Sequence, residues 1–123
     1  MKVISTNKAP AAIGPYSQAI VTGGYVFTSG QIPIDPATGE VAGDYIVCQA
    51  EQVMANLKEV LAAGASFESA VKTTCFLADM ADFTAFNSVY EKYFVNKPAR
   101  SCVAVKTLPK GVKVEVEVIA EIG

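Results

Sequence analysis

The residues best suited to chemistry lie in two segments near the end of the chain. Arg100 and Cys102 are two positions apart in the first segment, as are Glu115 and Glu117 in the second. Side chains two positions apart share one face of a strand, so a hairpin with a symmetric, even-numbered loop would bring both pairs to one face, whereas a bulge would separate them. A guanidinium can bind a carboxylate through two parallel hydrogen bonds, and a glutamate can orient or deprotonate a water. The pattern suits hydrolysis of a small acid, and the alternative is a cross-strand salt bridge on a solvated face.

Histidine is absent from the chain, and this limits the available chemistry. The commonest general base and metal ligand is missing, and Cys102 has no partner for a Cys–His pair. The alternative to a nucleophile is a small, buried, apolar role for Cys102, in which its backbone groups matter more than its sulfur. Cys48, Cys75 and Cys102 form no Cys-x-x-Cys pair, so we expect reduced thiols and neither a disulfide nor a zinc site.

Four further positions are candidates for lining a site. Tyr16 follows a Gly-Pro pair in a loop, where its phenol either donates to a substrate or covers a hairpin. Ser29 and Gly30 end a predicted strand, where free backbone N–H groups can bind an anion, although a simple strand exit has the same signature. Asn87 lies beside the apolar face of a predicted helix, so its amide either lines a site or ties the helix to a loop.

Composition narrows the range of partners. The 123 residues suit one domain, 1–123, yet 51% are apolar and only 18% are charged. A domain of this size that folds alone buries only about two-thirds of its unfolded surface, so we expect a homo-oligomer to cover the apolar excess. The net charge is −2, and the Lys and Arg residues are scattered. Binding to a nucleic-acid backbone needs clustered basic residues, so we expect no nucleic-acid partner.

The sequence also argues against insertion into a membrane. The stretch Ala9–Ile34 carries no charge, but Pro and Gly residues interrupt it and polar residues recur within it. It therefore predicts strands and turns rather than a membrane span. No apolar run of signal-peptide length follows the first residues. Together with the expected reduced thiols, this favours a cytoplasmic location.

Periodicity and turn residues predict six strands. The pair Gly23-Gly24 between two apolar runs is typical of a two-residue hairpin. The last two strands are expected to form a second hairpin around Thr107–Gly111. In the final strand the valines at 112, 114, 116 and 118 face one way, and the charged residues between them face the other. The predicted strands are Lys2–Ser5, Gln18–Thr22, Tyr25–Ser29, Val71–Ala78, Ser101–Lys106 and Val112–Ile122.

Two helices are predicted between these strands. The first begins after an N-cap at Asp44, runs to about Ala63 and has Gly64 at its C-terminal cap. The second begins after a cap at Asp82 and must stop before Pro98. Each has apolar residues at three- and four-residue steps, which indicates one buried face. The order β-β-β-α-β-α-β-β predicts an α+β sandwich, with both helices packed on one face of a mixed sheet.

A series of ordered motifs extends along nearly the whole chain. They are Ala12–Ala19 (AIGPYSQA), Thr28–Pro33 (TSGQIP), Gln52–Leu57 (QVMANL), Lys72–Leu77 (KTTCFL), Phe86–Tyr93, Pro98–Val103 (PARSCV), Leu108-Pro109 and Val114–Glu117 (VEVE). Together, with no large insertion between them, they resemble the reactive-intermediate deaminase family, known as RidA or YjgF-like. The resemblance implies a chorismate-mutase-like fold and a homotrimer with three sites in the clefts between subunits. It also implies hydrolysis of 2-iminobutanoate and 2-iminopropanoate to 2-keto acids and ammonia, with no cofactor or metal.

The resemblance also assigns roles by position. Arg100 would bind the substrate carboxylate, and Glu115 would position and help to activate the water that attacks the imine carbon. The backbone at Gly30 and Cys102 would contact the substrate. Glu117 matches the family pattern as well, but we interpret it as structural. The cleft would also be lined by Ser29, Asn87 and, from a neighbouring subunit, Tyr16.

Three other functions compete with the deaminase. The first is a regulatory trimer that binds small 2-keto acids without catalysis, for which Arg100 is needed but Glu115 is not. The second is the ribonuclease or translation-inhibitor role described for relatives, which the missing histidines and the net acidity disfavour. The third is a holdase-like protein that acts through exposed apolar surface.

Overall fold

One mixed sheet organises the chain. The computed structural model describes all 123 residues. Its strands are β1 (Lys2–Ile4), β2 (Ala19–Thr22), β3 (Tyr25–Thr28), β4 (Ala70–Leu77), β5 (Ala99–Ala104) and β6 (Val114–Glu121), and its helices are α1 (Ile46–Leu61) and α2 (Phe83–Tyr93). The strand order is β1-β2-β3-β6-β4-β5, and β4 and β5 are the parallel pair. The predicted α+β class and element order are confirmed.

Both helices cover the same face of this sheet. The alternating valines of β6 point into the core beneath them, as predicted, and Val114, Val116 and Val118 are buried. The apolar face of α1 packs against this row through Val53, Leu57 and neighbouring residues. The Gly23-Gly24 hairpin is also confirmed, with both glycines at positive φ, as a turn that follows the twist of its strands requires.

The predicted helix caps are only partly correct. Asp44 does not cap α1, because the N-cap position falls on Tyr45 and no side chain bonds there. Asp82 does occupy the N-cap position of α2, but its carboxylate makes no capping bond. The preceding 3₁₀ turn is capped instead by Asp79, which accepts a hydrogen bond of 2.9 Å from the N–H of Ala81. At the end of α1, Gly64 has φ +124°, two residues beyond the C-cap at Ala62.

The predicted hairpin of the last two strands is wrong. Strand β5 lies at the edge of the sheet and pairs in parallel with β4, whereas β6 lies between β3 and β4. The physical reason lies in burial. Every second residue of β6 is buried, which suits a central strand, whereas β5 is mostly exposed and suits an edge. Burying the valines of β6 in the centre of the sheet therefore stabilises the fold more than pairing β6 with β5, its neighbour in sequence, would do.

The second face of the sheet carries no helix. Apolar side chains on it remain exposed, including Val3 at 59% and Phe27 at 40%. Register partners place Glu115, Phe76 and Val103 in one row across this open face. No helix in the structure combines the length and apolar character needed to cross a membrane.

Candidate functional site

Arg100 is the only arginine of the chain, and it leaves the edge strand β5 on the helix-covered face. Its Nη1 donates a hydrogen bond of 2.8 Å to Oδ1 of Asn87 on α2. Its guanidinium carbon lies 4.7 Å from the ring centroid of Tyr90 and 5.5 Å from that of Phe83. The guanidinium is therefore held between α2 aromatic rings by cation–π contacts and by one hydrogen bond.

A cleft of about 350 Å³ opens beside this guanidinium. Arg100, Asn87 and Tyr90 line this cleft together with Glu91, Phe94, Lys97 and Pro98. No carboxylate of the chain pairs with Arg100, since the ion pair of the structure joins Lys92 to Glu51. The alternative of an Arg100–Glu115 salt bridge is therefore wrong. The remaining N–H donors of the guanidinium are free for the carboxylate of a ligand.

A second cluster forms around Glu115 on β6. Gln31 and Val116 exchange backbone hydrogen bonds of 2.8 and 3.1 Å, which hold the 29–31 segment against β6. Gly30 consequently lies directly under the carboxylate: a Cβ atom there would be 1.9 Å from Oε2 of Glu115. Gly30 also donates its own N–H to no acceptor in the chain. A carboxylate and a free N–H donor therefore lie side by side.

The environment of Glu115 makes it a stronger base than an ordinary carboxylate. Partial burial raises the pKa of Glu115, and the negative charge of Glu117 on the same face raises this pKa further. A raised pKa increases the affinity of the carboxylate for the proton of a bound water. The arrangement fits a group that accepts a proton and then returns it.

We predict that Gly30→Ala disables this cluster without unfolding the protein. The added methyl group overlaps the Glu115 carboxylate, and a flexible side chain relieves such a clash by rotating away. The backbone of Gly30 has no positive φ, so alanine is not strained there. We expect at least a tenfold loss of any Glu115-dependent activity, the scale of a displaced catalytic group, and a thermal midpoint within a few degrees of wild type. Gly123→Ala, where no atom lies near the added Cβ and φ is not positive, controls for loss of a glycine, and equal activity of both variants would contradict the prediction.

The loop before β2 lies near the second cluster. The hydroxyl of Ser29 donates a hydrogen bond of 2.6 Å to the carbonyl oxygen of Ser17. This bond links the segment that follows β3 to the loop before β2. Gln18, which the sequence did not single out, holds the loop through bonds to Thr6 and Pro10. Tyr16 is 53% exposed and its phenol has no hydrogen-bond partner in the chain. Its hydroxyl is therefore available to a substrate or a neighbouring chain.

Cys102 is half-buried and lies beside Cys75, its register partner on β4. Burial raises the pKa of Cys102, although the positive charge of Arg100 opposes this. Burial also raises the pKa of Cys75 to about 12. A raised pKa lowers the share of reactive thiolate at neutral pH, and this favours the small, apolar role of Cys102 over a nucleophile. Its strand has a free edge, where backbone N–H and C=O groups can meet a ligand.

The two clusters lie on opposite faces of the sheet, contrary to the expectation that one face would carry both. Arg100 is level with Thr73 on β4, and Glu115 is level with Phe76. Residues three positions apart on a strand point in opposite directions. A single chain therefore brings Asn87, Arg100 and Cys102 together on the helix side. It brings Gly30 and Glu115 together at the open face, with Ser29 beside Gly30.

Sequence reasoning missed the residues that surround Arg100. The pattern of the second helix predicted one buried apolar face without singling out Tyr90 or Phe83 as site residues, and Thr73 was not singled out either. The signal that could have found them is the spacing of Phe83, Asn87 and Tyr90 at four and three residues, which places all three on one side of α2. No group of three or more His, Cys, Asp or Glu side chains is arranged to hold a metal ion.

Comparison with known proteins identifies the class. Residues 6–122 match the family model described as endoribonuclease L-PSP. The 2-iminobutanoate/2-iminopropanoate deaminase of mouse (Mus musculus) is 50% identical over 121 residues, which cover 97% of this chain and 90% of the relative. AldR of Lactococcus lactis subsp. lactis (strain IL1403), provisionally named a regulator, is 51% identical over 99% of this chain and 98% of its own. The crystal structure of E. coli TdcF with bound serine matches with a TM-score of 0.94 and 45% identity, covering all of both chains.

The chain therefore belongs to the endoribonuclease L-PSP family, also known as the YjgF/RidA family, as its motifs indicated. The fold of that family, a mixed sheet with two helices on one face, is the fold described above. Names within the family include a deaminase, a regulator and an endoribonuclease, so membership alone does not select one activity. A larger cleft of about 420 Å³, near Phe67 and Tyr93, contains none of the predicted site residues.

Proposed function

We propose that the protein hydrolyses small, reactive 2-imino acids, such as 2-iminobutanoate and 2-iminopropanoate, to 2-keto acids and ammonia. The observation that carries the proposal is an arginine with no carboxylate partner beside an open cleft. A guanidinium in that state suits a substrate with a carboxylate group. A carboxylate with a raised pKa, Glu115, supports a hydrolytic step. Two relatives named 2-iminobutanoate/2-iminopropanoate deaminase, which are 50% and 49% identical to this chain, also support the proposal.

The proposed site lies between subunits of a homotrimer. In one chain, the Arg100 cluster and the Glu115 cluster face opposite sides of the sheet, so one chain alone cannot close on a substrate. The free edge of β5 and the helix-free face with exposed Val3 and Phe27 offer surfaces for a neighbour. We propose that Arg100 of one subunit meets Glu115 of the next, with the exposed Tyr16 reaching across the cleft.

The proposed reaction needs positioning more than strong catalysis, because a protonated imine is already electrophilic. Arg100 binds the substrate carboxylate, and Glu115 accepts a proton as its water attacks the imine carbon. The resulting carbinolamine carries a hydroxyl and an amino group on that carbon. Glu115 then returns the proton to the nitrogen. As the C–N bond breaks and ammonia leaves, the hydroxyl gives its proton to Glu115 and the C=O bond forms. All atoms come from substrate and water, and we propose no cofactor.

The test is loss of an imine that is generated in the assay. An amino-acid oxidase acts on a short-chain amino acid with catalase present, and semicarbazide traps the released imine as a semicarbazone. We expect the wild-type protein to lower semicarbazone formation, and Lys58→Ala, far from both clusters on α1, to do the same. The proposal would be overturned if folded, oligomeric wild-type protein left semicarbazone formation at the level seen without the protein.

A second candidate is a regulatory protein that binds small 2-keto acids without turnover. Arg100 and its cleft serve this role equally well, and the name of the AldR relative points in the same direction. The two candidates differ in what they require of Glu115. For either function we propose a cytoplasmic location, because all three cysteines are free and Cys48 is exposed.

A further inference from the structure

The guanidinium of Arg100 has less polar support than its proposed role requires. Its side-chain hydrogen-bond partner is the Oδ1 of Asn87, at 2.8 Å. A single hydrogen bond leaves the guanidinium plane free to rotate about that bond. Bidentate binding of a carboxylate, by contrast, needs a fixed plane. Something other than Asn87 must therefore set the orientation of the guanidinium.

Tyr90 has the position to do this. Its ring centroid lies 4.7 Å from the guanidinium carbon of Arg100, closer than that of Phe83 at 5.5 Å. The Tyr90 side chain is only 8% exposed, so water does not weaken the cation–π contact. A flat ring at this distance restricts the guanidinium to orientations that keep it over the ring face.

The Tyr90 ring is itself fixed at both ends. Its hydroxyl shares a hydrogen bond of 2.8 Å with Oγ1 of Thr73, which is completely buried. Its ring stacks on Phe94 at a centroid distance of 4.5 Å and an interplanar angle of 27°. Thr73 is also the register partner of Arg100 across β4 and β5. The same pair of strands thus places the arginine and anchors the ring beneath it.

We propose that Tyr90, anchored by Thr73, is a positioning residue that orients Arg100 for the substrate carboxylate. Tyr90 acts through the arginine and is not itself a catalytic residue. The substrate side of this inference rests on the proposed function, whereas the effect of Tyr90 on the guanidinium does not. The ring face orients the plane, and the hydroxyl bond to Thr73 keeps the ring from turning.

The sole arginine of the chain makes this proposal directly measurable. An NMR spectrum of ¹⁵N-labelled protein has one arginine Nε–Hε signal, and ring currents from Tyr90 and Phe83 shift it from its position in the unfolded chain. In Tyr90→Leu we expect this signal to move toward the unfolded position. We also expect about a tenfold rise in the Kd for 2-ketobutanoate and in the KM for the imine, from the size of a desolvated cation–π contact. The kcat should change less than threefold, because the contact acts on binding.

Two further variants separate positioning from general damage to the fold. The double variant Tyr90→Phe with Thr73→Val keeps the ring and removes both hydroxyls together, so neither is left buried without a partner. We expect a two- to threefold rise in Kd for this variant. Tyr93→Leu removes the next aromatic residue of α2, which contacts Glu51 and Phe67 rather than Arg100. Its Kd and its arginine signal should match those of wild type.

The proposal is overturned if folded Tyr90→Leu keeps the wild-type arginine signal and a Kd within twofold of wild type. It is also overturned if Tyr93→Leu changes both readouts as much as Tyr90→Leu does. Failure of the proposed function would look different. In that case wild-type protein would not hydrolyse imines, or would not bind 2-ketobutanoate, and the arginine signal of Tyr90→Leu would still decide whether Tyr90 orients Arg100.

Discussion

Replacing Glu115 with alanine is expected to lower kcat for imine hydrolysis by about 100- to 10,000-fold, the usual contribution of a general base. The Kd for 2-ketobutanoate should stay within about threefold of wild type, because Arg100 lies in the other cluster. Semicarbazone trapping measures the first quantity, and calorimetric titration measures the second. This split between turnover and binding is what separates an enzyme from a regulatory protein that only binds its ligand.

Glu117→Ala is the matched control for this experiment. Glu117 lies on the same face of β6 two positions away, but it is exposed, and the atoms nearest to a Cβ at Gly30 belong to Glu115 instead. Its loss should change kcat less than a few fold. If Glu115→Ala kept more than a tenth of wild-type kcat, water activation by Glu115 would be wrong. Binding by a wild-type protein that shows no turnover would favour the regulatory role.

The pH dependence follows from the same carboxyl group. The pKa of Glu115 is raised, first by burial and then by the charge of Glu117. In the proposed reaction the ionised form accepts the proton from water, so kcat/KM should fall on the acidic side at a pH above the usual glutamate value of 4.5. Glu117→Gln removes one cause of the raised pKa of Glu115, so the acidic fall in kcat/KM should move to lower pH.

The stability effect of Glu115 has a defined sign. An acid whose pKa is raised on folding favours the native state below its unfolded pKa, and this stabilisation is lost as pH rises through the folded pKa. At neutral pH the ionised Glu115 is therefore a cost to the fold, and Glu115→Gln should unfold at a temperature no lower than wild type. Lost activity with retained stability would show that the site, rather than the fold, needs this carboxylate.

Local patterns predicted the elements, because strands and turns depend on neighbouring residues. The two-residue alternation of β6 identified its buried valines correctly, and Gly23-Gly24 identified the first hairpin. Strand order depends instead on which residues are buried once the whole sheet is built. The hairpin expected around Thr107–Gly111 failed for that reason, since the chain passes over β4 before β6 begins.

The sequence predicted the candidate residues of the site but not how they are arranged in the fold. Arg100 and Glu115 were found because a lone guanidinium and a carboxylate in a strand pattern suggest chemistry. Their separation onto two faces could not be predicted, because it depends on the insertion of β6 beside β4. Contacts of Arg100 with Asn87 and Tyr90 depend on how α2 crosses the sheet, which no local pattern in the sequence determines.

Replacing Arg100 with alanine is expected to raise the KM for the imine and the Kd for 2-ketobutanoate by about 10- to 150-fold. Hydrogen bonds to charged groups contribute about 1.5–3 kcal/mol, and 1.4 kcal/mol corresponds to tenfold in affinity. The kcat should change much less if the carboxylate is bound equally in the ground and transition states. Initial rates over a range of imine concentrations, with calorimetric titration of 2-ketobutanoate, measure both effects.

Two further variants test whether Arg100 is needed for its shape or only for its charge. Arg100→Lys keeps the charge but loses the planar fork and the stacking on Tyr90, so we expect a loss close to that of alanine. Lys97→Ala removes a second positive charge from the same cleft and should cost less than threefold. Full activity in Arg100→Lys, or an equal loss in Lys97→Ala, would mean that the cleft attracts anions by net charge alone. Because enzyme and regulator both need the bound carboxylate, only the contrast between Arg100→Ala, which loses binding, and Glu115→Ala, which retains it, identifies a site that binds and then reacts.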